Sequence, residues 1–255
     1  MYTYRARETL LTVVVGELLV QLGLMPVVAV IPGLSTALGV GPTEGAWILT
    51  VFMLALAGTL LVCGRLGDLL GHRRVFGWGA LVYTLGSLLA GLAGGLEMLL
   101  LARGLQGIGA AMVSGNNLAI LSGAMPAAHL GKAVAVITTA ASLAAVVGAA
   151  LGTAAIAFGG WPLLFWSTAP LGAWAAWRAR RLPGLPDGCA PVSVDWAGAA
   201  LLVGTLSLVA VALNHPHTTT REAVMPLFHA GLPALAIVTA GAFVIVERRI
   251  RVPLL

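Results

Sequence analysis

The chain has 255 residues, 59% of them hydrophobic and only 9% charged, with a formal net charge of +5. Soluble domains carry roughly 25% charged residues, so a chain this apolar cannot keep a water-facing surface and belongs in lipid. Its positive charges gather in a few short segments, which marks them as a topology signal and removes the case for a nucleic-acid partner.

A hydrocarbon core of about 30 Å takes roughly 20 helical residues to cross. Apolar runs of that length predict spans near 10–31, 46–63, 75–94, 97–122, 133–157, 162–177, 195–213 and 231–246. Helices are the expected form, because lipid offers no partner to an open backbone and the runs lack the alternation of a membrane barrel. The predicted class is therefore all-α, a polytopic helical membrane protein. The first run follows Arg5 and Arg7 as a signal peptide would, but its length and lack of a small-x-small cleavage site read as a retained helix. With the N-terminus cytoplasmic, the inner segments hold 12 of the 14 basic residues, from Arg5 and Arg7 to Arg248, Arg249 and Arg251. The positive-inside rule favours this orientation in the cell membrane.

In the first span, Glu17 and Gln21 are the strongly polar residues, four apart and so on one face. A carboxyl group in lipid is by default a functional hypothesis, since burial favours its protonated form. Glu17 reads either as a proton carrier or as a group hydrated near the inner surface. After the second span comes a polar stretch from Gly64 to Arg74, containing Asp68, Gly71, Arg73 and Arg74. Gly64 and Gly71 suggest a tight backbone path, Asp68 an acceptor for free N–H groups at a helix start, and the two arginines an anchor on the inner face. In the fourth span, Arg103 and Gln106 are three apart and share a face, while Gly107 and Gly109 allow close helix approach. An arginine inside the bilayer costs at least ~2.5–3.5 kcal/mol on insertion scales, so it faces a partner or cavity, or it snorkels to the surface roughly 9 Å away. Ser114, Asn116 and Asn117 further along either line a cavity or bond between helices. In the fifth span Gly148 and Gly152 permit close packing.

These segments together resemble the major facilitator superfamily. Gly64, Asp68, Gly71, Arg73 and Arg74 match its cytoplasmic loop between the second and third helices, with Leu69 where a basic residue is usual. Arg103, Gln106, Gly107, Gly109 and Ala111 match the fourth-helix motif R-x-x-Q-G-x-G-x-A. The resemblance implies that the loop is a conformational latch against the other half of the protein and that Arg103 serves proton coupling. The fifth span departs from the G-P-x-x-G-G sequence of drug–proton antiporters, with Ala149 for proline and Thr153 for the last glycine, so the bend a proline would cause is not expected. In the first span, Gly23, Met25 and Val28 stand where an acid, a threonine and an asparagine are typical.

Pro183, Gly184, Pro186, Gly188 and Pro191 mark a linker. The expected organisation is a six-span N-terminal bundle over 1–181, a cytoplasmic linker over 182–194 and a two-span appendage over 195–255. The appendage, from Asp195-Trp196 to Glu247-Arg248-Arg249, resembles the two-helix insertion of the fourteen-span drug–proton antiporter branch. His215 and His217, beside Pro216 and Thr218, read as part of a solvated outer loop rather than a metal site, and Cys63 and Cys189 as incidental thiols. No cofactor and no metal is expected. An enzyme is not expected either, since H-E-x-x-H and paired carboxylates within a span are lacking. The expected function is secondary transport, proton-coupled export of drugs or other small amphipathic molecules. The alternative is a truncated or half-transporter that needs a second six-span bundle to work.

Overall fold

The computed structural model describes residues 4–182 and the pair 204–205. Seven helices follow in order: α1 (Tyr4–Leu38), α2 (Pro42–Leu70), α3 (His72–Gly91), α4 (Leu96–Ala124), α5 (Ala127–Gly159), α6 (Trp161–Trp166) and α7 (Ala169–Ala179). The described part is all helix, and α1, α2, α4 and α5 are each long and apolar enough to cross a membrane. The predicted eighth span, the seventh apart from the pair 204–205, most of the linker and the outer histidine loop lie outside the described residues.

The first five predicted spans correspond to α1 to α5, generally with longer ends. The first, expected over 10–31, is extended at both ends, and α1 runs 35 residues through both Pro26 and Pro32. In lipid a helix that stopped there would leave backbone groups unpaired, which costs more than the one bond each proline removes. The sixth predicted span, 162–177, is instead broken into α6 and α7 by a turn at Ser167–Thr168. Pro170 explains the break, because it has no N–H and its ring would strike the carbonyl of Trp166 in a continuous helix. Helix α5 is a single helix of 33 residues.

Polarity is arranged inside out. Leu101 is 78% exposed and Phe158 88%, whereas Arg103 and Gln106 are fully buried. An apolar exterior around buried polar groups is what a lipid solvent selects. Helix α4 lies at the centre, packed on α2, α3 and α1, while α5 lies on α1 and α7 on α3. Glycines set these approaches. A β-carbon at Gly107 would stand 2.5 Å from the Phe52 carbonyl oxygen of α2, and one at Gly109 2.5 Å from the Tyr83 amide nitrogen of α3. Likewise a β-carbon at Gly152 would lie 2.6 Å from the Pro26 carbonyl oxygen, and one at Gly148 3.1 Å from the Pro26 ring. Two residues apart, Gly107 and Gly109 thus let α4 meet different neighbours at backbone distance.

Candidate functional site

Two separate polar clusters form along α4, and a third group of side chains joins the α2–α3 turn to it. The first cluster centres on Arg103. Its Nε donates to the Ile48 carbonyl at 3.0 Å, and its Nη1 donates to the Gly23 carbonyl at 2.9 Å and to Gln106 Oε1 at 2.8 Å. Gln106 Nε2 in turn donates to Ser87 Oγ at 2.7 Å, and Thr168 Oγ1 lies 3.1 Å from the same hydroxyl. The guanidinium carbon sits 4.2 Å from the centroid of the Phe52 ring. No carboxylate pairs with Arg103 among the described residues.

Of the two readings of Arg103, snorkelling does not occur. Hydrogen bonds to a charged group are worth about 1.5–3 kcal/mol each, and a desolvated cation–π contact about 2 kcal/mol. Three such bonds and one ring act against an insertion cost of roughly 2.5–3.5 kcal/mol, while Nη2 is buried with no hydrogen-bond partner among the described residues. Gly23 has no room for a larger side chain. Its carbonyl accepts from Arg103, and a β-carbon there would overlap the hydroxyl of buried Tyr83.

The second cluster centres on Glu17, which is only partly buried. Its Oε2 accepts from Asn117 Nδ2 at 3.0 Å and from Ser114 Oγ at 3.4 Å. Asn117 is 8% exposed, and its Oδ1 has no hydrogen-bond donor. Gln21 is partly buried and belongs to neither set of hydrogen bonds. Neither Glu17 nor Gln21 shares a hydrogen bond with Arg103 among the described residues. Arg103 and Asn117 are fourteen residues apart, about 21 Å along the helix, so a fixed cation and a carboxylate occupy different depths.

The α2–α3 turn is shorter than its sequence suggests. Helix α2 continues to Leu70, α3 starts at His72, and Gly71 alone makes the corner at φ 93°. That left-handed backbone favours glycine. Gly64 is thus not part of the turn. It lies within α2 against α4, where a β-carbon on Gly115 would stand 2.9 Å from the Leu60 carbonyl and 3.2 Å from the Gly64 nitrogen. Asp68 does not cap α3, whose N-terminus has no side-chain cap. It sits in the last turn of α2, 3.6 Å from Arg65 and 3.3 Å from His72 Nε2. Arg73 Nη1 donates to the Leu182 carbonyl beyond α7 at 2.8 Å, and Arg74 is exposed.

His72 carries the connection onward, with Nδ1 2.7 Å from Asn116 Oδ1. Asn116 Nδ2 donates to the carbonyls of Cys63 at 3.1 Å and Met112 at 2.8 Å, so its oxygen faces the ring and accepts from it. Gly67 leaves the room, since a β-carbon there would collide with Asn116 and His72. Asn116 and Asn117, consecutive on α4, therefore point to different tasks. One holds the turn and the other holds Glu17. Of their two sequence readings, bonding between helices is what both do. His72, Ser87, Tyr83 and Thr168 were missed by sequence reasoning. Only His72 carried a signal, lying four residues after Asp68 inside the matched loop.

The sequence profile of the Major Facilitator Superfamily matches residues 13–246. The puromycin resistance protein pur8 of Streptomyces alboniger is 32% identical over 247 residues, which cover 96% of this chain and 48% of that protein. The cephamycin export protein CmcT of Amycolatopsis lactamdurans is 31% identical over 252 residues, covering 97% and 51%. Among solved structures, the human organic anion transporter MFSD10 (TETRAN) aligns with a TM-score of 0.63 at 20% identity, covering 90% of this chain and 61% of that one. The chain spans about a third to a half of the length of the curated relatives it matches.

Proposed function

The chain belongs to the major facilitator superfamily, and from that premise we propose that its bundle forms one wall of a proton-coupled exporter of amphipathic small molecules. The observation that carries this reading is the placement of Glu17. A partly exposed carboxylate is held by Asn117, and the neighbouring Asn116 holds the α2–α3 turn. Proton uptake at Glu17 removes the charge that Asn117 bonds to, and loosens α1 from α4 at the level where the turn is fastened. Arg103, enclosed in carbonyls, is the fixed charge of the outer half and biases where a proton or a charged substrate can rest. The α1, α2, α4 and α5 helices line one side of the cavity, and a second six-helix bundle lines the other.

In this reading the segment over 1–181 is the N-terminal bundle, 182–194 a cytoplasmic linker and 195–255 a two-span appendage, in the cell membrane with the N-terminus inside. The relatives named for puromycin and cephamycin support export, with puromycin as the first substrate to try. To test it, the protein is reconstituted in proteoliposomes and puromycin movement is followed with and without an imposed pH gradient. Gradient-driven movement is expected in the unmodified protein, with Glu17→Gln retaining only downhill exchange and Arg103→Ala losing both. Movement indifferent to the gradient, or unaltered by Glu17→Gln, rules the mechanism out. A second reading, favoured by the share of its relatives that the chain spans, is a bundle that works only with a partner bundle on another polypeptide. Flux that appears only on co-reconstitution with such a partner selects it.

A further inference from the structure

A groove of about 270 Å³ opens between α3 and α7 at the end of the bundle that carries the N-terminus of α1. Its rim is made by Arg73, Arg74 and Arg180, its floor by small residues such as Ala176, and its flank by Trp78 and Leu81. None of the described residues lining it is acidic. The neighbouring cations are otherwise occupied. Arg178 pairs with Glu8, Arg181 lies 4.0 Å over the Trp177 ring, and Arg65 faces Asp68. Arg74 and Arg180, by contrast, are exposed, and Arg73 uses one nitrogen to reach the Leu182 carbonyl. Three guanidinium groups therefore converge on one concavity with no carboxylate among its lining.

Below this rim α3 presents a continuous apolar track. Trp78 is 50% exposed, Leu81 39%, Leu85 56%, Leu88 42% and Leu92 64%. Their spacing alternates three and four residues, which keeps them on one face. From Trp78 to Leu92 the track rises about 21 Å, more than one leaflet's share, about 15 Å, of the hydrocarbon core. Trp78 is the track residue that lines the groove with the arginines, and an amphipathic ring is favoured at a membrane boundary. A bare phosphate would use the rim and ignore the track, and an acidic protein segment would have no use for a leaflet-long apolar face. A ligand with an anionic head and a long tail uses both.

We propose that this groove binds an anionic phospholipid of the inner leaflet, with its phosphate on Arg73, Arg74 and Arg180 and an acyl chain along the Trp78–Leu92 face of α3. The inference goes beyond the transport reading and takes from it only the orientation. Arginines near a membrane surface attract anionic lipid, and two of these three belong to the α2–α3 turn, so the lipid ties that turn to the charge of the leaflet.

The test is native mass spectrometry of the purified full chain, exposed to equal amounts of phosphatidylglycerol and phosphatidylcholine with identical acyl chains. Phosphatidylglycerol is expected to be retained preferentially, with the preference falling about fivefold for each arginine removed in Arg180→Gln and Arg74→Gln/Arg180→Gln. Lys132→Gln, which removes an exposed charge on α5, is expected to leave it unchanged. Equal retention of the two lipids overturns the proposal. A preference that survives the double substitution, or falls as far in Lys132→Gln, overturns it as well. So does displacement of the lipid by inorganic phosphate at equal concentration, which marks a small-anion site. The readout is lipid retention rather than flux, so it stands or falls apart from the transport reading.

Discussion

The two ends of α4 treat their ionisable partners in opposite ways. Around Arg103 every contact is a carbonyl, an amide or a ring, and the side chain is wholly enclosed. Around Glu17 the carboxylate stays partly open and is held by two side chains of α4. A cation held by backbone carbonyls has little freedom to give up its partners, because those carbonyls belong to α1 and α2 themselves. One end is closed around its charge and the other is left partly open.

The largest effect is expected where the charge is fixed. Arg103→Ala removes three hydrogen bonds and leaves a void beside Phe52, and we expect a loss of about 3 kcal/mol. Thermal unfolding in detergent measures it, and a loss no greater than that of Glu17→Gln would erase the contrast between the two ends. An intermediate effect is expected at the turn. Asn116→Ala removes the acceptor of His72 and a donor to the Cys63 carbonyl, about 1–2 kcal/mol in total. Cys63 is buried, so the substitution should speed its labelling by a membrane-permeant maleimide several-fold in a Cys189→Ser background. Unchanged labelling would mean that the turn is fastened elsewhere. The smallest effect on stability belongs to Glu17→Gln, whose amide oxygen can still accept from Asn117. Its unfolding should shift by less than about 0.5 kcal/mol, even as gradient-driven flux is lost. A large loss of stability there would show that the partly open end is structural instead.

Part of this was readable in the chain. Arg103 and Gln106 share a face by spacing alone, and their side chains meet at 2.8 Å. Gly71 makes the corner that the loop sequence suggested. Gly64 and Asp68 belong to α2 rather than to the turn, because helix α2 extends further than its apolar run and a boundary cannot be placed from hydropathy to within a turn. Ser87 and Thr168 join the Arg103 cluster from α3 and from the break before α7, and nothing near them in sequence announces it. The break itself was legible in Pro170, though the apolar run passes through it.

By itself the sequence determined the solvent, the helical class and the family. Apolar run length, charge placement and motif spacing are one-dimensional properties and survive any arrangement of the helices. Only the tertiary structure decided which partner each polar side chain meets. Asn116 and Asn117 are the same residue type in adjacent positions, yet one fastens the α2–α3 turn and the other holds Glu17. Successive residues on a helix point about 100° apart, and what lies in each direction depends on how closely α1, α2 and α3 approach α4. Gly107, Gly109 and Gly115 set that approach by letting backbones touch, a property of pairs of helices that no single segment carries.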